Sequence, residues 1–292
     1  MPLFTGLGVA MITAFDENGI NFDAQGKIID HLLNGGTDAI VVCGTTGEPS
    51  TMTKPEREDL IAFTVQRVAG RIPVYAGSGG NNTAESVDFS RRCQELGADG
   101  LLVVTPYYNK CTQKGLIAHF AAISDAVSIP MIAYNVPTRT NVNILPETAL
   151  KLAEIKNVVA IKEASGDIHQ ISEVLRLTKG KLDIYSGDDS LTVPAMALGA
   201  LGVISVAGNV VPKEMREMTQ LALTGNFSAA SDIHFNLAPL MKLLFCEVNP
   251  IPVKYAMNLL GFNAGIPRMP LTEMEPQNAE KLRAEMERLG LI

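Results

Sequence analysis

Val158-Val159-Ala160-Ile161-Lys162 is an unbroken apolar run closed by a single lysine. Four apolar residues without alternation fit a strand covered on both faces, as in parallel sheets. Seven similar runs stand along the chain: 9–12, 39–42, 74–76, 101–104, 131–134, 183–185 and 203–206. Between them lie stretches of helical spacing, such as Ile28, Ile29, Leu32 and Leu33, or Leu116, Phe120 and Ile123. Strand and helix alternating eight times predict an α/β fold, a (β/α)8 barrel, over residues 1–211. Turn residues mark strand entries at Gly35-Gly36, Gly97-Ala98-Asp99-Gly100 and Ile129-Pro130. From Pro212 the pattern is helical, with breaks near Gly225, Asn249-Pro250-Ile251-Pro252 and 261–270. Residues 212–292 are therefore expected to form a helical C-terminal region packed on the barrel.

A chain of 292 residues can hold such a barrel with a small appendage. Its net charge of -7 is spread without a basic stripe, which argues against a nucleic-acid partner. Leu191 to Val211 carries no charged side chain and has the length to cross a bilayer, yet Pro194, Gly199, Gly202, Gly208 and Asn209 interrupt it. It reads as a short helix, a strand and a loop, with no membrane partner. Cys43, Cys93, Cys111 and Cys246 show no paired spacing, and Met1-Pro2-Leu3-Phe4 lacks the features of a secretory signal, so a reducing cytoplasm is expected. Cys43 reads as a small buried hydrophobe.

Residues just past the strand ends of a parallel barrel share one rim, where its chemistry gathers. Lys162 stands at such an end. Desolvating an ammonium is costly, and this favours the neutral amine that attacks a carbonyl to form a Schiff base. The simpler reading is a strand-end lysine in solvent or paired with a carboxylate. After the second run, Gly44-Thr45-Thr46-Gly47-Glu48 offers a tight turn whose N–H groups and hydroxyls can grip a carboxylate or relay a proton. Gly77-Ser78-Gly79-Gly80-Asn81-Asn82 lacks the endings of the nucleotide-binding loops and reads as a strand-to-helix turn. Tyr107 and Tyr108 follow the fourth run, where packing is the usual role. Tyr134 ends the fifth as a proton carrier beside Lys162, and Arg139 on the next loop suits a carboxylate. Asp188-Asp189 resembles half a metal site, but His31, His119, His169 and His234 are scattered. No metal is expected, and the acids read as a helix start.

Taken together, Gly44–Glu48, Tyr107-Tyr108-Asn109, Tyr134–Thr140 and Lys162–Asp167 resemble the dihydrodipicolinate synthase family of pyruvate-dependent class I aldolases, and the likeness runs from Phe4 to the end of the chain. The resemblance implies a lyase of lysine and diaminopimelate biosynthesis that condenses pyruvate with L-aspartate 4-semialdehyde, with no cofactor beyond the covalent imine. It implies catalytic roles for Lys162 (imine), Tyr134 (acid/base), Thr46 (relay) and Tyr108, the last reaching in from a neighbouring subunit of a dimer or homotetramer. Arg139 would hold the aldehyde's carboxylate, and the backbones of Thr45, Thr46, Gly187 and Ile204 would line the pocket. An interface pocket of Asn81, Glu85 and Tyr107 would correspond to the family's lysine-binding site. Lys54 and Arg57, where lysine-sensitive members carry histidines, would oppose a cationic ligand there and weaken feedback inhibition. The competing readings are a sialic acid or keto-deoxy sugar acid lyase on the same scaffold, and a catalytically silent binding barrel.

Overall fold

The computed structural model describes residues 2–292. Its centre is a closed barrel of eight parallel strands: β1 (Gly6–Ala10), β2 (Ala39–Val42), β3 (Val74–Gly77), β4 (Gly100–Val104), β5 (Met131–Asn135), β6 (Val158–Glu163), β7 (Asp183–Ser186) and β8 (Gly202–Ser205). Sequential strands are neighbours, and β1 closes the barrel by pairing with both β2 and β8.

Each apolar run hides a period of two. In β2 Ala39 and Val41 face the interior while Ile40 and Val42 face the helices; in β5 Ile132 and Tyr134 point in, Met131 and Ala133 out. Both faces are buried, which is why the runs look continuous in sequence. The interior is closed by Phe4, whose ring stacks on Tyr185 at 4.2 Å and leans on Tyr75 at 5.9 Å. The Tyr185 hydroxyl donates to the Phe4 carbonyl (2.7 Å).

The surrounding helices are α1 (Phe22–Asn34), α2 (Lys54–Val68), α3 (Thr83–Glu95), α4 (Gln113–Ser124), α5 (Pro146–Leu152), α6 (Ile168–Thr178), α7 (Thr192–Ala197) and α8 (Pro212–Leu223). Thr53 and Glu56 form a capping box at the start of α2, and Asn82 and Asp167 cap α3 and α6. Because α8 packs on β1, Pro212 opens the helix that completes the ring. Beyond it, α9 (Phe227–Leu243), α10 (Ile251–Leu259) and α11 (Pro276–Arg288) pack on one another, and their boundaries fall at the glycine and proline breaks. The uncharged stretch from Leu191 holds α7, β8 and a short turn at Ala207–Asn209; among the described residues no helix is long and apolar enough to cross a membrane.

The first strand begins earlier than its apolar run suggests, because Gly6 and Gly8 are strand residues. A Cβ on Gly8 would lie 2.8 Å from the Phe4 ring, and one on Gly202 only 2.0 Å from the Gly6 carbonyl oxygen. Here glycine marks close backbone approach at the seam. Gly202 also sits at φ +156°, so Gly202→Ala is expected to cost about 2–4 kcal/mol in chemical denaturation. Gly180→Ala, at φ +73° with open space around it, should cost only about 1 kcal/mol.

Candidate active site

The barrel register sets the centre of the site. Tyr134 pairs with Lys162, which in turn pairs with Tyr185. Both Tyr134 and Lys162 point inward and are buried, and Lys162 Nζ stands 4.4 Å from the Tyr134 ring centroid. Their chain successors point outward and are locked together: Asn135 Nδ2 donates to Glu163 Oε2 (2.9 Å), as does Gln170 Nε2 (3.1 Å), and Ser165 N–H donates to Oε1 (2.7 Å). Burial pushes the Glu163 carboxyl upward, against the pull of these donors.

Around Lys162 lies a cavity of about 640 Å³, lined on one side by Thr46, Tyr134, Val136 and Arg139 and on another by Ala164, Ser165, Gly187 and Val206. The tail closes it with Ala238, Met241, Lys242, Phe245 and Asn249. Thr46 is buried in the 3-10 turn Thr45–Gly47, and its Oγ1 accepts from Asn249 Nδ2 (3.0 Å). Arg139 lies on the single helical turn Pro137–Thr140 and donates to the Asn249 carbonyl (3.2 Å). Thr105 steadies that turn through a hydroxyl contact to Thr140 (2.9 Å). One tail residue, Asn249, thus touches both polar arms of the cavity. Sequence reading missed it, since 203 positions separate it from Thr46 and its Asn-Pro step resembles any helix break.

Other expected residues are placed differently. Ile204 is fully buried inside the barrel with Ala10, Tyr134 and Tyr185, and Val206 lines the cavity instead. Thr45 faces an adjoining cavity of about 650 Å³ that shares Tyr134, Val136 and Arg139 with the first. Tyr107 and Tyr108 line this second space, and Tyr108 is 90% exposed at φ +69°. Within one chain, then, Tyr108 does not line the cavity around Lys162. Arg57 lines the second cavity with its guanidinium 4.2 Å over Phe89, whereas the exposed Lys54, Glu85 and the loop residue Asn81 do not. Asp188 caps the turn Asp189–Leu191, as its position suggested. Asp189 is buried and accepts from the N–H groups of Val206 (3.1 Å) and Ala207 (2.8 Å), fixing the exit of β8. Cys43 is buried, and burial pushes its thiol well above the ordinary range.

Residues 3–289 match the model of the dihydrodipicolinate synthetase family. The chain belongs to this family. A 4-hydroxy-tetrahydrodipicolinate synthase from Thermoanaerobacter sp. (strain X514) is 54% identical over 293 residues, covering 100% of this chain and 99% of that one. The crystal structure of dihydrodipicolinate synthase from Aquifex aeolicus superposes with a TM-score of 0.97 at 50% identity, covering 99% of each chain. The enzyme from Acinetobacter baumannii, solved in complex with pyruvate, gives 0.97 at 40% identity over 99% of each. In this dihydrodipicolinate synthetase family member the cavity leaves no room for a side chain at position 187. A Cβ there would fall 2.6 Å from Ala164 Cβ and 2.9 Å from Lys162 Cε. Gly187→Ala should therefore displace the amine and lower kcat/KM for pyruvate by about 100-fold in initial-rate assays. Its unfolding midpoint should move less than that of Gly202→Ala.

Proposed function

We propose that the chain condenses pyruvate with L-aspartate 4-semialdehyde to give 4-hydroxy-tetrahydrodipicolinate, through a Schiff base on Lys162. The observation that carries this reading is the buried Lys162 amine beside Tyr134, in one cavity with Thr46, Arg139 and Gly187. The amine attacks the C2 carbonyl of pyruvate, water leaves, and an imine forms. Loss of a methyl proton turns the imine into an enamine, which attacks the aldehyde carbon of the second substrate; the aldehyde oxygen takes up a proton to become the hydroxyl, and the substrate's own amine then adds to the imine carbon and expels the Lys162 amine, closing the ring and freeing the lysine. Tyr134 is the acid/base for the methyl proton and the aldehyde oxygen, and Thr46 passes that proton onward. The imine is the protein's own covalent group, so the scheme calls on no dissociable cofactor.

Arg139 holds the carboxylate of the aldehyde. Its single tie to the Asn249 carbonyl leaves the rest of the guanidinium fork for that partner. The tail supplies apolar side chains, Ala238, Met241 and Phe245, to the same cavity, which suits a short aldehyde better than a polyhydroxylated sugar acid. Tyr108 completes the relay from a second copy of the chain; its 90% exposure supports that role.

Pyruvate with L-aspartate 4-semialdehyde should be consumed far faster than pyruvate is released from sialic acid or 2-keto-3-deoxygluconate; the reverse order would assign the chain to the sugar-acid lyases. Arg139→Ala should raise the barrier for the aldehyde by about 2–3 kcal/mol in kcat/KM and leave imine formation with pyruvate nearly unchanged. Equal loss of both would remove Arg139 from the aldehyde site.

A further inference from the structure

The turn that carries Thr46 ends at Glu48, a non-glycine residue at φ +57° whose side chain runs inward. Its carboxylate meets Lys254 of α10: Nζ donates to Oε1 at 2.9 Å, and both side chains are 1% exposed. The shell is complete on both sides. Arg268 N–H donates to the other Glu48 oxygen (2.9 Å), while Lys254 also donates to the Ile266 carbonyl (3.1 Å) and lies 4.4 Å from the Phe15 ring centroid.

Burying two charges costs several kcal/mol each, and an apolar pair of similar volume commonly stabilises a fold as well or better. Stability alone therefore does not account for an ion pair here. What the pair adds over an apolar contact is direction and length: it ties the turn to α10 at one defined spacing. That helix begins two residues after Asn249, whose side chain donates to Thr46 Oγ1. The same two segments are thus joined twice, at Thr46–Asn249 beside the cavity and at Glu48–Lys254 behind it. On its far side the turn is held by Thr13 Oγ1, which donates to the Gly47 carbonyl (2.7 Å).

We propose that Glu48 and Lys254 are positioning residues for proton transfer: their ion pair sets the height of α10 against the Thr45–Gly47 turn, so that Asn249 holds the Thr46 hydroxyl in line for its relay. This inference rests on the condensation reading above. Neither residue touches the reacting atoms, and both act through Thr46.

The test is a double-mutant cycle. Glu48→Gln/Lys254→Met replaces the ion pair with a neutral pair and leaves no lone buried charge. We expect it to lower kcat for the condensation about tenfold, with KM for pyruvate and the rate of borohydride-trapped imine within about threefold of the parent. In a Thr46→Val background the same pair of changes should lower kcat by less than about twofold, because the group they position is gone. Equal losses in both backgrounds, or imine trapping that falls in parallel with kcat, would overturn the proposal. Glu48→Asp keeps both charges and shortens the tie by one methylene, and it carries the same cycle should the neutral pair fail to fold. A parent protein that traps no imine would defeat the condensation reading itself, an outcome distinct from an active parent with an additive cycle.

Discussion

The placement of Tyr134 opposite Lys162 across β5 and β6 is the constraint on which the rest of the site depends. Register in a sheet is all or nothing: a slip of one residue in either strand would turn its own side chain out of the barrel. Here the register is held from outside. Asn135 and Glu163, the next residues on the two strands, face away from the cavity and bond to each other. Asn143 and Gln170 extend that bonding to the neighbouring loop and to α6. A buried carboxylate that accepts three hydrogen bonds of this kind is expensive to rearrange. The fold thus places the Lys162 amine on a strand end held by this bonding, with Arg139 and the tail at the rim.

The C-terminal helices are part of this machinery. Asn249 reaches both Thr46 and Arg139, and α9 contributes Met241, Lys242 and Phe245 to the cavity wall. Separate segments of the barrel supply the lysine, tyrosine and threonine, and the tail sets how the last of these and the arginine stand relative to the first two. A polar core clamp between Glu48 and Lys254 fits the same division of labour, since its spacing is fixed by hydrogen bonds where apolar packing would slide.

Much of this was legible in the chain. Unbroken apolar runs at regular spacing predict eight buried strands, and Lys162, Tyr134, Thr46, Arg139 and Gly187 all fall at strand exits that meet in one cavity. What escaped has a physical reason in each case. The Gly6 and Gly8 half of β1 falls outside the apolar run because glycine, which serves close approach there, adds no apolar side chain. Ile204 lies inside the barrel because β8 starts at Gly202, which carries Val206 to the rim. Asn249 and Lys254 carry no local signal, as their partners lie more than two hundred positions away. The small hairpin of Phe15–Asp16 with Gly19–Ile20 is too short to show a period at all.

Covalent chemistry at one amine decides what this chain does. Incubating the protein with pyruvate, reducing with borohydride and mapping the digest by mass spectrometry tests this directly. The peptide containing Lys162 should carry the reduced pyruvate adduct, and Lys254, though equally buried, should carry none, because its amine is held by Glu48 and the Ile266 carbonyl away from the cavity. An adduct on another lysine, or no adduct from an active preparation, would contradict the account.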